Sequence, residues 1–255
     1  NYYRFSAYSL TLRKNDIFDD DVTFDNIYEL YRFDDALRKI IFQYSQYAEI
    51  SLRSYIAYEF SKKYGALGYM DSNNFTNPLY HVDFILKLQE EIRKSDDVFV
   101  THYKKDFNAV FPMWVAIECS TFGNLSKLYK NLKVDDRTFI SKKYFGVSRK
   151  YTENWFQAAV FARNVSAHGG RFYNRKLRTV PVNLPAKYGK IIDGQSAFSY
   201  VYAIYKLQPT KALSLSMRKS LSDIWYSYPF ARKEHVGFPD EWEQILIDSE
   251  NRKAF

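Results

Sequence analysis

Apolar positions recur along this chain about every 3.6 residues, the period of one helix face. The clearest run follows the acidic stretch NDIFDDD: Leu37, Ile40, Ile41, Tyr44, Ala48, Leu52, Tyr55 and Ile56 fall on one stripe. Thr23 stands where an N-cap belongs, and Gly65 and Gly68 stand where the helix should stop. The same period predicts helices from about Val82 to Lys94 and from about Asp97 to Asp106. PMWVAIECSTF reads as one helix with Pro112 in its first turn. DRTFISKKYF reads as a helix capped by Asp135 and closed by Gly146. ENWFQAAVFARNVSAH reads as a helix that Ser148 or Thr152 caps and Gly169-Gly170 closes. Residues 171–195 carry two prolines and no helical period, so they read as a loop or short hairpin. Helices near Ala197–Leu207 and Leu213–Tyr226 follow, then a short one starting near Pro239 or Asp240. The opening NYYRFSAYSLTL is rich in β-formers and is the place to expect strands. The prediction is an all-α protein, one domain over residues 1–255, with a short β-hairpin either near the N-terminus or within 171–195.

Composition sharpens this in two ways. Hydrophobic residues are 46% of the chain, enough for a sizeable core, and aromatics are 19%, with 23 Tyr and 21 Phe. Nine Gly and seven Pro are too few for a many-stranded sheet with tight turns or for disorder. The single cysteine, Cys119, excludes an intrachain disulfide and fits a reducing, cytoplasmic compartment. It lies in an apolar stretch and reads as core rather than as a nucleophile. The longest charge-free runs, Phe107–Ile117 and Gly194–Tyr205, fall short of the roughly 20 residues that span a bilayer, so no membrane is expected.

Charge is concentrated. Residues 1–100 hold 12 Lys and Arg against 16 Asp and Glu, whereas 127–190 hold 15 against 3. A local positive excess of this kind suits a phosphate backbone; it also suits a solvated surface. The familiar phosphate loops, the nucleophile elbow Gly-x-Ser-x-Gly and zinc-ligand spacings are absent from the sequence, so neither metal nor cofactor is expected. His81 and His102 are single histidines on helices.

What remains is RNVSAHGGRFYNR, inside the basic segment. Asn164 and His168 are i and i+4 and share a helix face. Arg163 lies about 140° around an ideal helix from His168, so convergence needs a loosened helix end. Imidazole, with a pKa near about 6.5, suits proton transfer, and guanidinium is a permanent planar cation that matches phosphate. Together they are able to cleave RNA without a metal: the arginine stabilises the charged phosphorane and the histidine protonates the leaving 5′-oxygen. By spacing alone, the two side chains read as an ordinary basic helix C-terminus.

FARNVSAHGGRFYNR resembles the Arg-Asn-x-x-x-His-x-x-Arg-x-Tyr/Trp-Asn-Arg signature of the Abi-like (abortive infection) family of the HEPN ribonuclease superfamily. NYYRFSAY, YRFDDALRKIIFQYSQYAEISLRSYIAY, FVTHYKKDF, PMWVAIECSTFGNLSKLYKNL and HVGFPDEW resemble further blocks of that family. The resemblance implies a HEPN-type helical bundle with additional helices, and a segment preceding the point where this chain begins. It implies a metal-independent endoribonuclease acting as a bacterial toxin or anti-phage effector, working as a homodimer on RNA. Arg163 and His168 match the catalytic pair and Asn164 the polar residue that positions them. Gly169 replaces a second histidine found in many relatives, which leaves His168 as the one acid/base candidate in the motif. Arg171, Asn174 and Arg175 fall within the signature as phosphate-binding or site-shaping residues. In the alternative reading GGRFYNR is a structural turn in which Phe172 and Tyr173 pack and Asn174 caps. Lys142, Lys143, Arg149, Lys150, Lys176 and Arg178 would follow an RNA backbone. The competing function is a non-catalytic RNA-binding scaffold that holds a small non-coding RNA.

Overall fold

The computed structural model describes residues 2–15, 17, 18 and 21–250. Helices dominate: α1 (Tyr2–Ser6), α2 (Phe24–Tyr64), α3 (Pro78–Lys94), α4 (Val98–Asp106), α5 (Met113–Ala116), α6 (Phe122–Asn131), α7 (Val134–Ile140), α8 (Arg149–Ala167), α9 (Ala197–Lys206), α10 (Lys211–Ser227) and α11 (Trp242–Glu250). A hairpin pairs β1 (Arg13–Lys14) with β2 (Ile17–Phe18) in antiparallel register, Arg13 opposite Phe18, and Asn15 takes the turn with φ of 52°. The fold is all-α with one short β-hairpin near the N-terminus, as expected.

The chain divides into two compact units, Asn1–Gln46 with Asn154–Phe255, and Tyr47–Glu153; the divisions fall inside α2 and α8. In the first unit the core comes from Leu30, Phe33, Leu37 and Ile41 of α2, Trp155, Phe156 and Ala159 of α8, and the whole of α9. AFSYVYAIYK is buried on every side, Ser199 and Lys206 included, as in a central helix. In the second unit Leu52, Ile56 and Phe60 of α2 are buried, as are Phe84 and Leu88 of α3 and Leu125, Leu128 and Tyr129 of α6.

Local chemistry sets the helix starts. Thr23 and Asn26 cap α2 reciprocally: the Thr23 amide donates to Asn26 Oδ1 at 2.8 Å and the Asn26 amide to Thr23 Oγ1 at 3.3 Å. Asn77 accepts from the Leu79 and Tyr80 amides to start α3, with Pro78 in its first turn. Gly65, with φ of 80°, ends α2.

Several sequence expectations shift. The described residues of NYYRFSAYSLTL do not form strands; they make α1 and a 3-10 turn at Ser9–Thr11, and Tyr8 and Leu12, four apart on either side of that turn, both insert into the core. PMWVAIECSTF is not one helix. It tightens to a 3-10 turn at Ile117–Cys119 and breaks at Ser120, since Thr121 accepts the Asn124 amide and starts α6 afresh. Cys119 is half-buried rather than core, and burial pushes its thiol pKa up. Asp135 lies within the first turn of α7 and is not its cap; Lys133 holds that position. The chain then widens to a π-turn at Ser141–Phe145 before Gly146, with φ of 64°, closes it. Ser148 precedes α8, whereas Thr152 is buried inside it and donates to Ser141 Oγ and to the Arg149 carbonyl. Residues 171–195 stay a loop tied down by buried Phe172, Tyr173 and Leu177.

Candidate functional site

The site lies in the first unit, at the C-terminus of α8. Gly169 (φ 65°) donates its amide to the Ser166 carbonyl at 3.0 Å, and Gly170 donates to the Val165 carbonyl at 2.7 Å. This pair of bonds is the Schellman ending, which needs a left-handed residue at Gly169 and so favours glycine there. His168 is the last residue before that turn. Its amide still donates to the Asn164 carbonyl at 3.0 Å, while its side chain is exposed and makes no hydrogen bond among the described residues. Arg4 of α1 donates through one Nη2 atom to the His168 carbonyl at 3.2 Å and to the Gly169 carbonyl. A cation thus sits on the negative end of the helix.

Arg163 faces another way. Its Nη1 donates to Asn164 Oδ1 at 3.2 Å, its guanidinium lies 5.7 Å from the centre of the Phe42 ring, and its Nε is buried without a partner. Arg163 and Asn164 are therefore joined directly, and no bond runs from either to the His168 ring. The double glycine ends the helix just after His168, while Phe42 of α2 supports the arginine.

One buried carboxylate organises the loop that follows. Asp34 of α2 is fully buried and accepts from the Phe172 amide at 3.0 Å and the Tyr173 amide at 2.8 Å. It also accepts from the Tyr8 hydroxyl at 2.7 Å and Arg38 Nη1 at 2.6 Å. Burial pushes its pKa up, and these four donors pull the other way. The Tyr8 hydroxyl, buried against this charge, is held far above its ordinary range. Arg171, released by the turn, donates to the Ala7 carbonyl at 2.6 Å and lies 5.8 Å from the centre of the Tyr8 ring. Sequence reasoning missed Asp34, Arg38, Tyr8 and Arg4. The i, i+4 pair Asp34–Arg38 in FDDALR was the available signal.

Between α1, α2 and the end of α8 opens a cleft of about 780 Å³. Among the described residues its cations are Arg4, Arg38, Lys39 and Arg171, its acid is Asp35, and Tyr3, Tyr8, Tyr31 and Phe42 supply ring surface.

The remaining signature residues are divided. Asn174 is left-handed, with φ of 49°, and its amide donates to the His235 carbonyl at 2.7 Å; Phe172 and Tyr173 are buried. Those three residues form the structural turn. Arg175 is exposed and reaches the Arg171 carbonyl at 3.4 Å, Lys176 pairs with Asp193 at 3.2 Å, and Arg178 is exposed. Lys142, Lys143, Arg149 and Lys150 belong to the second unit. There Lys143 pairs with Glu59 at 2.7 Å and lies over the Tyr144 ring, Arg149 pairs with Glu153 at 3.0 Å, Lys150 covers Tyr151, and Lys142 is exposed. The basic segment is thus split between two units.

Fold and site together define an all-α protein with an Arg-Asn-x-x-x-His motif at a glycine-terminated helix end, beside a basic, aromatic cleft. The sequence model of the Abi-like protein family matches residues 1–174, from α1 through the motif to Asn174. The chain belongs to the Abi-like family. No curated protein and no solved structure matches it. Among the described residues no helix is long and apolar enough to cross a membrane.

Proposed function

We propose that this protein is a metal-independent endoribonuclease of the HEPN type, acting in abortive infection against phage in the bacterial cytoplasm. The observation that carries the reading is the α8 terminus: Arg163 and Asn164 bonded to each other, and the His168 side chain presented to solvent one turn later. In the reaction the ribose 2′-oxygen attacks phosphorus as it loses its proton, and the bond from phosphorus to the 5′-oxygen breaks. Arg163 neutralises the extra charge on the phosphorane, and His168 gives a proton to the departing 5′-oxygen. The products are a 2′,3′-cyclic phosphate and a 5′-hydroxyl. Asn164 steadies the guanidinium. With one acid/base histidine per motif, a homodimer would supply two, one to accept the 2′-hydroxyl proton and one to donate. Arg171 and Arg175 would contact phosphates near the cut; Lys176 and Arg178 would follow the chain outward.

The test is incubation of the purified protein with end-labelled single-stranded RNA in EDTA. Cleavage leaving a cyclic phosphate is expected. His168→Ala should lower the rate about 10²- to 10⁴-fold with RNA binding retained. Arg163→Lys, which keeps the charge and loses the fork, should also be strongly impaired. Cleavage unchanged by His168→Ala would refute the mechanism. Tight RNA binding with no cleavage by the unaltered protein would support the scaffold reading instead, in which the same surface holds a small non-coding RNA.

A further inference from the structure

The cleft beside the motif has a chemistry of its own. Arg4 commits Nη2 to the end of α8, and Arg171 commits Nη1 to Ala7. Their other guanidinium nitrogens have no hydrogen-bond partner among the described residues. Lys39 stands 77% exposed at the cleft, held by Asp35 at 2.8 Å. Among the described residues four cations line the cleft against Asp35, with buried Asp34 pairing Arg38 from behind, which leaves the cleft positive; three of the four cations are arginine, whose planar fork suits phosphate oxygens.

The walls are aromatic. Tyr3 is 81% exposed at the cleft. Tyr31 stacks on Phe5 at 5.2 Å between ring centres, and Phe5 stacks in turn on Phe24 at 5.4 Å and Tyr28 at 6.1 Å. Phe24 and Tyr28 are themselves exposed, so a stack of near-parallel rings runs from solvent to the cleft wall. Phe42, which lines the cleft, is also the ring under Arg163. Flat ring surface beside fixed cations is the pairing by which proteins hold unstacked bases and their phosphates. The volume lies within the roughly 300–1,000 Å³ of small-ligand sites.

We infer that this cleft is a nucleotide-binding site, with phosphate on Arg4, Arg171 and Lys39 and the base stacked on Tyr3 or Tyr31. Neither phosphate nor an aromatic ring alone satisfies both halves of the cleft. The inference does not depend on RNA cleavage by His168, and its failure would leave that reaction standing. The nucleotide has two sources, free in solution or within an RNA chain, and the test separates them.

Calorimetric titrations of the full chain in EDTA would use AMP, UMP, adenosine, inorganic phosphate and a 2′-O-methyl pentanucleotide, which transesterification cannot cut. Saturable binding is expected, with adenosine alone and phosphate alone each at least about tenfold weaker than the nucleotide. Tyr3→Ala and Lys39→Gln should each weaken it about tenfold, with circular dichroism showing the helical fold retained. Lys190→Gln, an exposed lysine of the same unit outside the cleft, should not. Mononucleotides that bind as tightly as the pentanucleotide identify a free nucleotide ligand; a pentanucleotide that binds while AMP and UMP do not identifies a chain. Absence of saturation with every nucleotide probe would overturn the assignment, and so would affinity that neither Tyr3→Ala nor Lys39→Gln moves.

Discussion

Replacing Asp34 with asparagine isolates the charge at the centre of the first unit. The substitution keeps the volume, and its one carbonyl oxygen is able to accept the Phe172 and Tyr173 amides, which donate to Asp34 Oδ1 at 3.0 and 2.8 Å. The new NH₂ group would then face Tyr8 Oη and Arg38 Nη1, which lie 2.7 and 2.6 Å from Oδ2. A donor would meet a guanidinium only 7% exposed, whose other nitrogen, Nη2, is on Asp35 at 3.0 Å. Removing one member of a buried ion pair costs about 3–5 kcal/mol. The surviving Asp35 contact places the expected loss at the lower end, about 3 kcal/mol. At about 2–4 °C per kcal/mol for a chain of this size, the melting temperature should fall by roughly 6–12 °C. Asp34→Ala should cost more, because it also strands both backbone amides. Urea denaturation followed by circular dichroism measures the first quantity, and a thermal scan the second. A loss below about 1 kcal/mol for Asp34→Asn would refute the reasoning: it would mean that the carboxyl is protonated in the folded chain and that Arg38 does not depend on its charge.

Three further outcomes follow from local geometry. Gly169→Ala forces a side chain into a left-handed position and brings its Cβ to 2.5 Å from Arg4 Nη2; a cost of about 1–2 kcal/mol is expected in urea, and a neutral result would exclude the Schellman ending. Glu153→Gln weakens the contacts to Arg137, whose side chain is 8% exposed, and to Arg149; about 2–3 kcal/mol should be lost, and a loss confined to a few tenths would show the cluster to be solvated. Burial, with Arg232 adding and Glu234 opposing, holds the His235 pKa below its ordinary value. The unfolded chain therefore takes up that proton first, so stability is full above about pH 6.5 and falls as pH drops below it. His235→Gln should flatten the melting temperature between about pH 7 and 5, and an unchanged slope would remove His235 from the effect.

The basic segment is legible as charge along the chain, while its ion pairs are set by the fold. The excess over residues 127–190 is plain along the chain, and in the fold Lys143, Arg149 and Lys176 each have a carboxylate partner. Two of those partners, Glu59 and Asp193, lie outside the segment. GGRFYNR likewise offered two readings, a structural turn and a set of phosphate-binding side chains. Phe172, Tyr173 and Asn174 build the turn, while Arg171 reaches the cleft.

The sequence by itself determined what acts within a turn or two of helix. The 3.6-residue stripe placed α2 and α8, the Thr23 cap started the first, Gly65 and Gly169 ended them, and the helix expected near Ala197–Leu207 is α9. It also held the Arg-Asn-x-x-x-His motif and the family blocks around it. Only the tertiary structure decided how that motif is supported. Asp34 holds the Phe172 amide 138 positions away, Arg4 closes a helix whose last carbonyls lie 164 and 165 positions on, and Phe42 comes under Arg163. It also made α1 and a 3-10 turn of an opening rich in β-formers, with Tyr8 and Leu12 buried beside that turn. Periodicity and capping are short-range and readable along the chain. The value of a buried charge is set by which donors the fold carries to it, and that is written in no single segment.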